Sequence, residues 1–263
     1  MIDMMIDIVM QGPLWDITPK AAEYYLKLPF INNIIISTWE NETIPTNNNS
    51  KIIYLKNKKP QENDKSNINM QIVSSLEGIK STTSNLVLKI RTDEVILDDS
   101  MKILYNFIIN NINNHDLIFS NQDKPKGNLY FISMNNKYPF HPKDHIVCGY
   151  REDVLNFFNI PLLPKELYRT DDNFNENIRP ETYLGGMYLK HFYPEEIVKF
   201  FKNHKEYLVD NPIKQEAIEL SKKIRDKIFK VLPKLKIIWT KYPHFPTYPY
   251  EWYEQMGEYS FSE

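Results

Sequence analysis

Arg91, Asp93 and Glu94 close an otherwise apolar run made of Leu86, Val87, Leu88 and Ile90. Side chains of these types can meet a diphosphate in two ways. A guanidinium forms paired hydrogen bonds to phosphate oxygens, and carboxylates are hard oxygen ligands for a Mg²⁺ or Mn²⁺ ion that bridges the diphosphate. An Arg–Asp pair at the end of a strand is by itself common and contributes little. Two further polar clusters change that weight. Gln11-Gly12-Pro13 follows the apolar run that begins at Ile6, and Thr38-Trp39-Glu40 follows Asn33-Ile-Ile-Ile-Ser37. The Trp39 indole suits stacking on a base, with Glu40 or Gln11 at the base's hydrogen-bonding edge. If the three runs are parallel strands, their carboxyl ends lie at one edge of a sheet, where ligands of open α/β sheets bind.

The elements needed to hold these clusters are readable from periodicity. Short apolar runs at 6–11, 33–37, 51–55 and 86–90 are strands, with Val and Ile content and brevity favouring strand over helix. Thr18 is placed to cap a helix with Pro19 at its first position. Ile68, Ile72, Leu76 and Ile79 mark a second helix, and Met101, Leu104 and Ile108 a third. Strand–helix alternation of this kind predicts an α/β fold, a mostly parallel sheet covered by helices on both faces. Beyond residue 110 the pattern is less regular. Strands are expected at 116–119, 129–132 and 145–149, and helices at 153–158, 181–192 and 194–207. A basic helical stretch over 214–236 and an aromatic, Pro-rich tail over 242–259 complete the chain, which reads as one domain with a helical C-terminal extension.

Composition narrows the function. The chain has 263 residues, a formal net charge of −2 and one cysteine. That balance speaks against a nucleic-acid binder, which carries a basic excess. A lone Cys148 in an apolar run is a buried structural thiol and suits a reducing compartment. No Gly-x-Gly-x-x-Gly, no Gly-Lys-Ser/Thr loop and no Cys/His ligand set is present. The acidic N-terminus lacks the basic start of a secretory signal, and no apolar stretch is long enough to span a bilayer, so the expected location is cytoplasmic. Lysines from Lys214 to Lys241, interleaved with Ile218, Ile224 and Ile228, allow a peripheral contact with an anionic membrane surface. An ordinary packed helix with a solvated lysine face explains the same pattern.

Several short motifs occur in one order: Val9-Met-Gln-Gly-Pro-Leu14, Ile36-Ser-Thr-Trp-Glu40, Asn69-Met-Gln71, Lys89-Ile-Arg-Thr-Asp93, Phe140-His-Pro-Lys-Asp144 and Arg179-Pro-Glu181. Together they resemble the WavE lipopolysaccharide-synthesis family over residues 6–192. The resemblance implies a GT-A-like, Rossmann-type fold, with a catalytic domain at 1–192 that binds a nucleotide-sugar and an extension at 193–263 packed on it. It also implies a glycosyltransferase that moves a sugar from a nucleotide-diphosphate donor onto a glycan or lipid-linked glycan acceptor. Gln11, Gly12, Pro13, Thr38, Trp39, Glu40, Asn69, Gln71 and Arg91 would then hold the donor. Asp93 and Glu94 would hold Mn²⁺ or Mg²⁺. Arg91 stands where the GT-A Asp-x-Asp motif has its first acid, so a guanidinium is available to do part of the metal's work. An inverting transfer needs a base for the acceptor hydroxyl: Glu181, just after Pro180, has the position and Asp144 competes with it. His141 and His145 flank Asp144 as contacts for acceptor or phosphate, and His191 is a weaker metal-ligand candidate. Two other readings compete, a non-catalytic glycan-binding or scaffold subunit and a sugar nucleotidyltransferase. The second wants a Gly-rich basic loop after the first strand, which Gln11-Gly-Pro-Leu-Trp15 does not provide.

Overall fold

The computed structural model describes residues 4–46, 49–62, 66–112, 129–135, 138–165, 179–202, 212–233, 235 and 237–239. The strand expected at 116–119 and the tail at 242–259 fall outside these residues, as does Lys241. Apolar runs become strands where the pattern requires: β1 (Ile6–Gln11), β2 (Ile31–Trp39), β3 (Ile52–Asn57) and β4 (Leu86–Arg91) are mutually parallel. β6 (Leu129–Met134), β7 (Pro142–Tyr150) and β8 (Phe229–Val231) complete a seven-stranded sheet in the order β3-β2-β1-β4-β7-β6-β8. Only β7 runs against the others, pairing antiparallel with both β4 and β6, while β8 is parallel to β6.

Both faces of this sheet are buried, which is why its central strands are near-continuous apolar runs. On one face Ile8, Met10, Leu88 and Ile90 pack with Tyr25 of α1 (Ile17–Tyr25) and Leu104 of α3 (Asp98–Ile112). On the other, Val9, Ile35 and Val87 meet Ile72 and Ile79 of α2 (Ile68–Lys80). Phe157 of α4 (Arg151–Phe158), Leu184 of α5 (Pro180–Leu189), Ile197 of α6 (Pro194–Lys202) and Ile224 of α7 (Pro212–Ile228) extend that second core.

The C-terminal region differs from its helical expectation. α7 ends at Ile228, and the chain then adds β8 to the edge of the main sheet beside β6. A separate antiparallel ribbon joins β5 (Glu94–Ile96) to β9 (Ile237–Trp239). Residues after 192 therefore complete the sheet as well as cover it. Ala217, Ile218 and Ile224 are buried while Lys222, Lys223 and Lys227 are exposed. The buried apolar residues of α7 are thus used within the protein, as an ordinary packed helix uses them, and those lysines face outward. Among the described residues no helix is long and apolar enough to cross a membrane.

Two local features fix the frame. At the edge where the parallel strands begin, Asp7 is fully buried and accepts hydrogen bonds from the backbone N–H groups of Asn33 (3.0 Å), Thr83 (2.6 Å) and Ser84 (2.8 Å). This carboxylate ties β1 to β2 and to the loop entering β4. At the other edge α5 lies against the start of β7 so closely that a Cβ on Gly185 would come within 2.0 Å of the Phe140 carbonyl oxygen. Backbone cannot yield as a side chain does, so Gly185→Ala is expected to cost at least about 1–3 kcal/mol, readable as a lower urea midpoint. Phe140 itself has a positive φ of 51°, is fully buried, and donates its N–H to the Ser221 hydroxyl. That left-handed turn, disfavoured for a bulky residue, aims the chain into β7.

Candidate functional site at the carboxyl edge of the sheet

The strand order reverses at β1, with β2 on one side and β4 on the other, and ligands of open α/β sheets occupy the crevice beyond such a point. Gln11 is in register with both Ser37 and Arg91 there, so the clusters that end β1 and β4 meet. The loops beyond are joined by hydrogen bonds. Thr92 donates its N–H to the Gln11 carbonyl (3.1 Å) and its hydroxyl to the Pro13 carbonyl (2.7 Å). Gly12 adopts φ +130°, and a Cβ there would lie 2.8 Å from the Thr92 hydroxyl oxygen, so this junction needs glycine. Thr18 is not a cap. It sits inside α1, accepts the Trp15 N–H (3.0 Å) and donates to the Thr92 carbonyl (2.9 Å), which adds α1 to the same junction.

Arg91 and Asp93 form a two-pronged pair, Nε to Oδ1 and Nη2 to Oδ2, both at 2.9 Å. Arg91 keeps 30 % of its side chain exposed while Asp93 keeps 6 %. Glu94 is buried, with Oε1 2.6 Å from the His145 Nδ1 and, among the described residues, no hydrogen-bond partner for Oε2. Burial raises the Glu94 carboxyl, but His145, Arg91 and Lys89 outweigh it and hold the group below its ordinary range. Lys89 was not anticipated. It is fully buried on the Arg91 face of β4, donates to the Asp144 carbonyl (2.9 Å) and lies over the Phe158 ring at 5.5 Å. Burial lowers its ammonium, and the Asp144, Glu94 and Asp93 carboxylates oppose that shift. The signal for Lys89 was its period: Val87, Lys89 and Arg91 alternate with Leu88 and Ile90, so a lysine lies on one face of a buried strand.

The two candidate bases stand in different surroundings. Asp144 is 4 % exposed and accepts a hydrogen bond from the Gln71 amide on α2. Burial pushes its carboxyl up, Glu181 adds to this, and Lys89 and His145 oppose it. Glu181, in the first turn of α5, keeps 27 % of its side chain exposed, with Oε2 3.7 Å from the His141 Nε2. Burial pushes the His141 imidazole down to about 3, against the pull of Asp144 and with help from Arg179 and Lys143. The unfolded chain, with an imidazole near 6.5, binds a proton in that interval that the folded chain does not. Stability therefore falls as pH drops through it, by about 1.4 kcal/mol per unit from this group. A His141→Gln variant is expected to show a shallower loss in urea midpoint between pH 6.5 and 4, roughly the window set by the two pKa values.

The remaining expected contacts divide. Glu40 is exposed just beyond β2, as a donor contact requires. Trp39 is 2 % exposed, which leaves its ring no open face for a base, against the expectation from sequence. Thr38 is buried, and among the described residues its hydroxyl has no hydrogen-bond partner. Asn69 is fully buried and bonds the backbone of Leu163 in both directions, at 2.7 and 3.2 Å, fastening α2 to that segment. Gln71, also expected to hold the donor, donates its amide to Asp144 instead. His191 rests edge-on against the Tyr188 ring at 6.1 Å, and Cys148 is buried with its thiol pushed up by that burial, as a structural residue would be.

The carboxylates do not fit a divalent ion as they are arranged. Both Asp93 oxygens accept from Arg91, one Glu94 oxygen is taken by His145, and among the described residues no group of three His, Cys, Asp or Glu side chains could hold a metal.

No curated protein matches this chain. Among solved structures it is similar to the 2-C-methyl-D-erythritol 4-phosphate cytidylyltransferase (IspD) of Francisella tularensis, at 13 % identity and TM-score 0.34, covering 88 % of this chain and 91 % of that one. It is also similar to HddC of Yersinia pseudotuberculosis, at 12 % identity and TM-score 0.32, covering 58 % and 80 %. Residues 6–204 match the family described as WavE lipopolysaccharide synthesis, and the chain belongs to that family.

Proposed function

We propose that the chain is a glycosyltransferase that moves a sugar from a nucleotide-diphosphate donor onto a surface-glycan acceptor with inversion. The observation that carries this reading is the composition of the crevice at the β1–β4 switch point. There a partly exposed guanidinium, Arg91, has its Nε 3.7 Å from the Glu94 Oε1 and is in register with Gln11, and among the described residues neither the Glu94 Oε2 nor the Gln11 Oε1, both buried, has a hydrogen-bond partner. These two buried acceptors would be satisfied by donors such as sugar hydroxyls or base N–H groups, or by ordered water. Glu181 belongs to the same charge network, through Asp144 and Lys89, and is its more exposed acid.

In the proposed reaction an acceptor hydroxyl attacks the anomeric carbon as the bond from that carbon to the diphosphate oxygen breaks. The bonding pair leaves with the nucleoside diphosphate, and the acceptor proton passes to a Glu181 carboxylate oxygen. Asp144, held by Gln71 and beside buried Lys89, anchors that half of the site and is the less accessible base. Membership of a lipopolysaccharide-synthesis family supports a glycan acceptor.

The test is turnover of UDP-, GDP- and dTDP-sugars with lipopolysaccharide or its core oligosaccharide. Release of nucleoside diphosphate together with a heavier glycan is the expected result. Pyrophosphate release from a nucleoside triphosphate and a sugar 1-phosphate would replace this reading with nucleotidyl transfer. Binding of glycan with no turnover of any donor would replace it with a non-catalytic role.

A further inference from the structure

We infer that the site holds the donor's diphosphate through Arg91 without a divalent cation, and that Asp93 is the positioning residue for that guanidinium, not a metal ligand. The inference rests on the transferase reading above and deepens it. Each carboxylate near Arg91 is already committed. Asp93 gives both oxygens to Arg91 at 2.9 Å, Glu94 gives Oε1 to His145 at 2.6 Å, and Asp144 is bonded by Gln71. A Mg²⁺ or Mn²⁺ ion placed on Asp93 would have to sit beside the positively charged guanidinium already bonded to both of its oxygens. An octahedral ion also wants several oxygens at about 2.0–2.1 Å, and among the described residues the one buried carboxylate oxygen without a hydrogen-bond partner, Glu94 Oε2, is a monodentate donor.

What the arrangement does provide is a fixed fork. Arginine loses orientational freedom when a carboxylate grips two of its N–H groups, and its planar guanidinium matches phosphate in geometry. Asp93 is held in turn by its place between Thr92, which is bonded to Gln11 and Pro13, and the β5 ribbon beginning at Glu94. Arg91 thus stands oriented at the mouth of the switch-point crevice, partly exposed, before any ligand arrives. A cation in that position neutralises charge as it develops on a leaving diphosphate, the task otherwise given to the metal.

The experiment is calorimetric titration of the full chain with inorganic pyrophosphate, in EDTA and in Mg²⁺, with equal affinity in the two expected. Arg91→Lys, which keeps the charge but loses the fork, is expected to weaken binding about tenfold in EDTA. Asp93→Asn should weaken it similarly while the thermal midpoint of the ligand-free variant stays near wild type, which a merely structural role would not allow. If Asp93→Asn does not fold, Arg91→Lys and the EDTA comparison still decide. Binding that appears only with Mg²⁺, or absence of binding in both buffers, would overturn the inference. Metal-independent pyrophosphate binding by a chain that turns over no nucleotide-sugar would instead keep the anion site and remove the transferase reading.

Discussion

Glu181→Gln is expected to lower kcat by about 10²- to 10⁴-fold, the range for loss of a general base, while the donor dissociation constant stays within about threefold of wild type by the same logic. The amide keeps the size and the hydrogen-bonding reach of the carboxylate but cannot take the acceptor's proton. Donor contacts are assigned to Gln11, Arg91 and their neighbours, so binding should survive. The substitution is also mild for the fold, because Glu181 is partly exposed, its near contact being His141 Nε2 at 3.7 Å. Asp144→Asn is the comparison. Its carboxylate is buried and bonded to Gln71, so the amide must either flip or face another donor, and a loss of stability should accompany any loss of rate. Steady-state kinetics and donor calorimetry on both variants separate the roles. A Glu181→Gln enzyme with near-normal kcat, beside a folded but inactive Asp144→Asn enzyme, would move the base to Asp144.

The largest effect on stability is expected from Asp7→Ala. Three backbone N–H groups end on that carboxylate, and the Asn32 and Asn33 amides reach it as well at 3.1 and 3.3 Å. Each buried donor left without an acceptor costs about 1–3 kcal/mol. Even if water satisfies some of them, a total of about 3–5 kcal/mol follows, a large part of the 5–15 kcal/mol that holds a typical domain together. Chemical denaturation measures it directly. Asp7 lies at the opposite edge of the sheet from Arg91, so the fraction that stays folded should retain its donor affinity. An unfolding free energy within about 0.5 kcal/mol of wild type, the spread of ordinary surface substitutions, would show that the loop into β4 does not depend on this anchor.

The first half of the fold was readable because strands buried on both faces are apolar along their whole length and stop sharply in polar residues. Leu86 to Ile90 states its own ends to within a residue, Asn33-Ile-Ile-Ile-Ser37 marks the centre of a strand that runs two residues further each way, and the helix over 68–79 states its period. The three-residue strands β5, β8 and β9 were not readable, since three residues carry no period, and Phe229-Lys-Val231 continues the apolar–basic alternation of α7 without a break. Arg91, Asp93 and Glu94 could be picked out as a group because they are adjacent in the chain. Their partners were harder. Nothing near Glu94 indicates that its carboxylate meets His145, and nothing near Gln71 indicates Asp144, because those pairings are made by the antiparallel return of β7 against β4. Trp39 misled for a related reason: an aromatic at the end of a strand looks the same in sequence whether the loop beyond leaves it open or covers it.

Leu129 of β6 pairs with Phe229 of β8, about a hundred residues later in the chain. A ribosome adding about 5–20 residues per second leaves several seconds in which β6 has emerged and β8 has not. During that interval Leu129-Tyr-Phe-Ile132, apolar and otherwise ready to pair, is the open border of a growing sheet, the kind of border that recruits strands from other chains. Yield of this protein in a cell should therefore depend on how quickly synthesis passes residue 229, and on what shields β6 until it does.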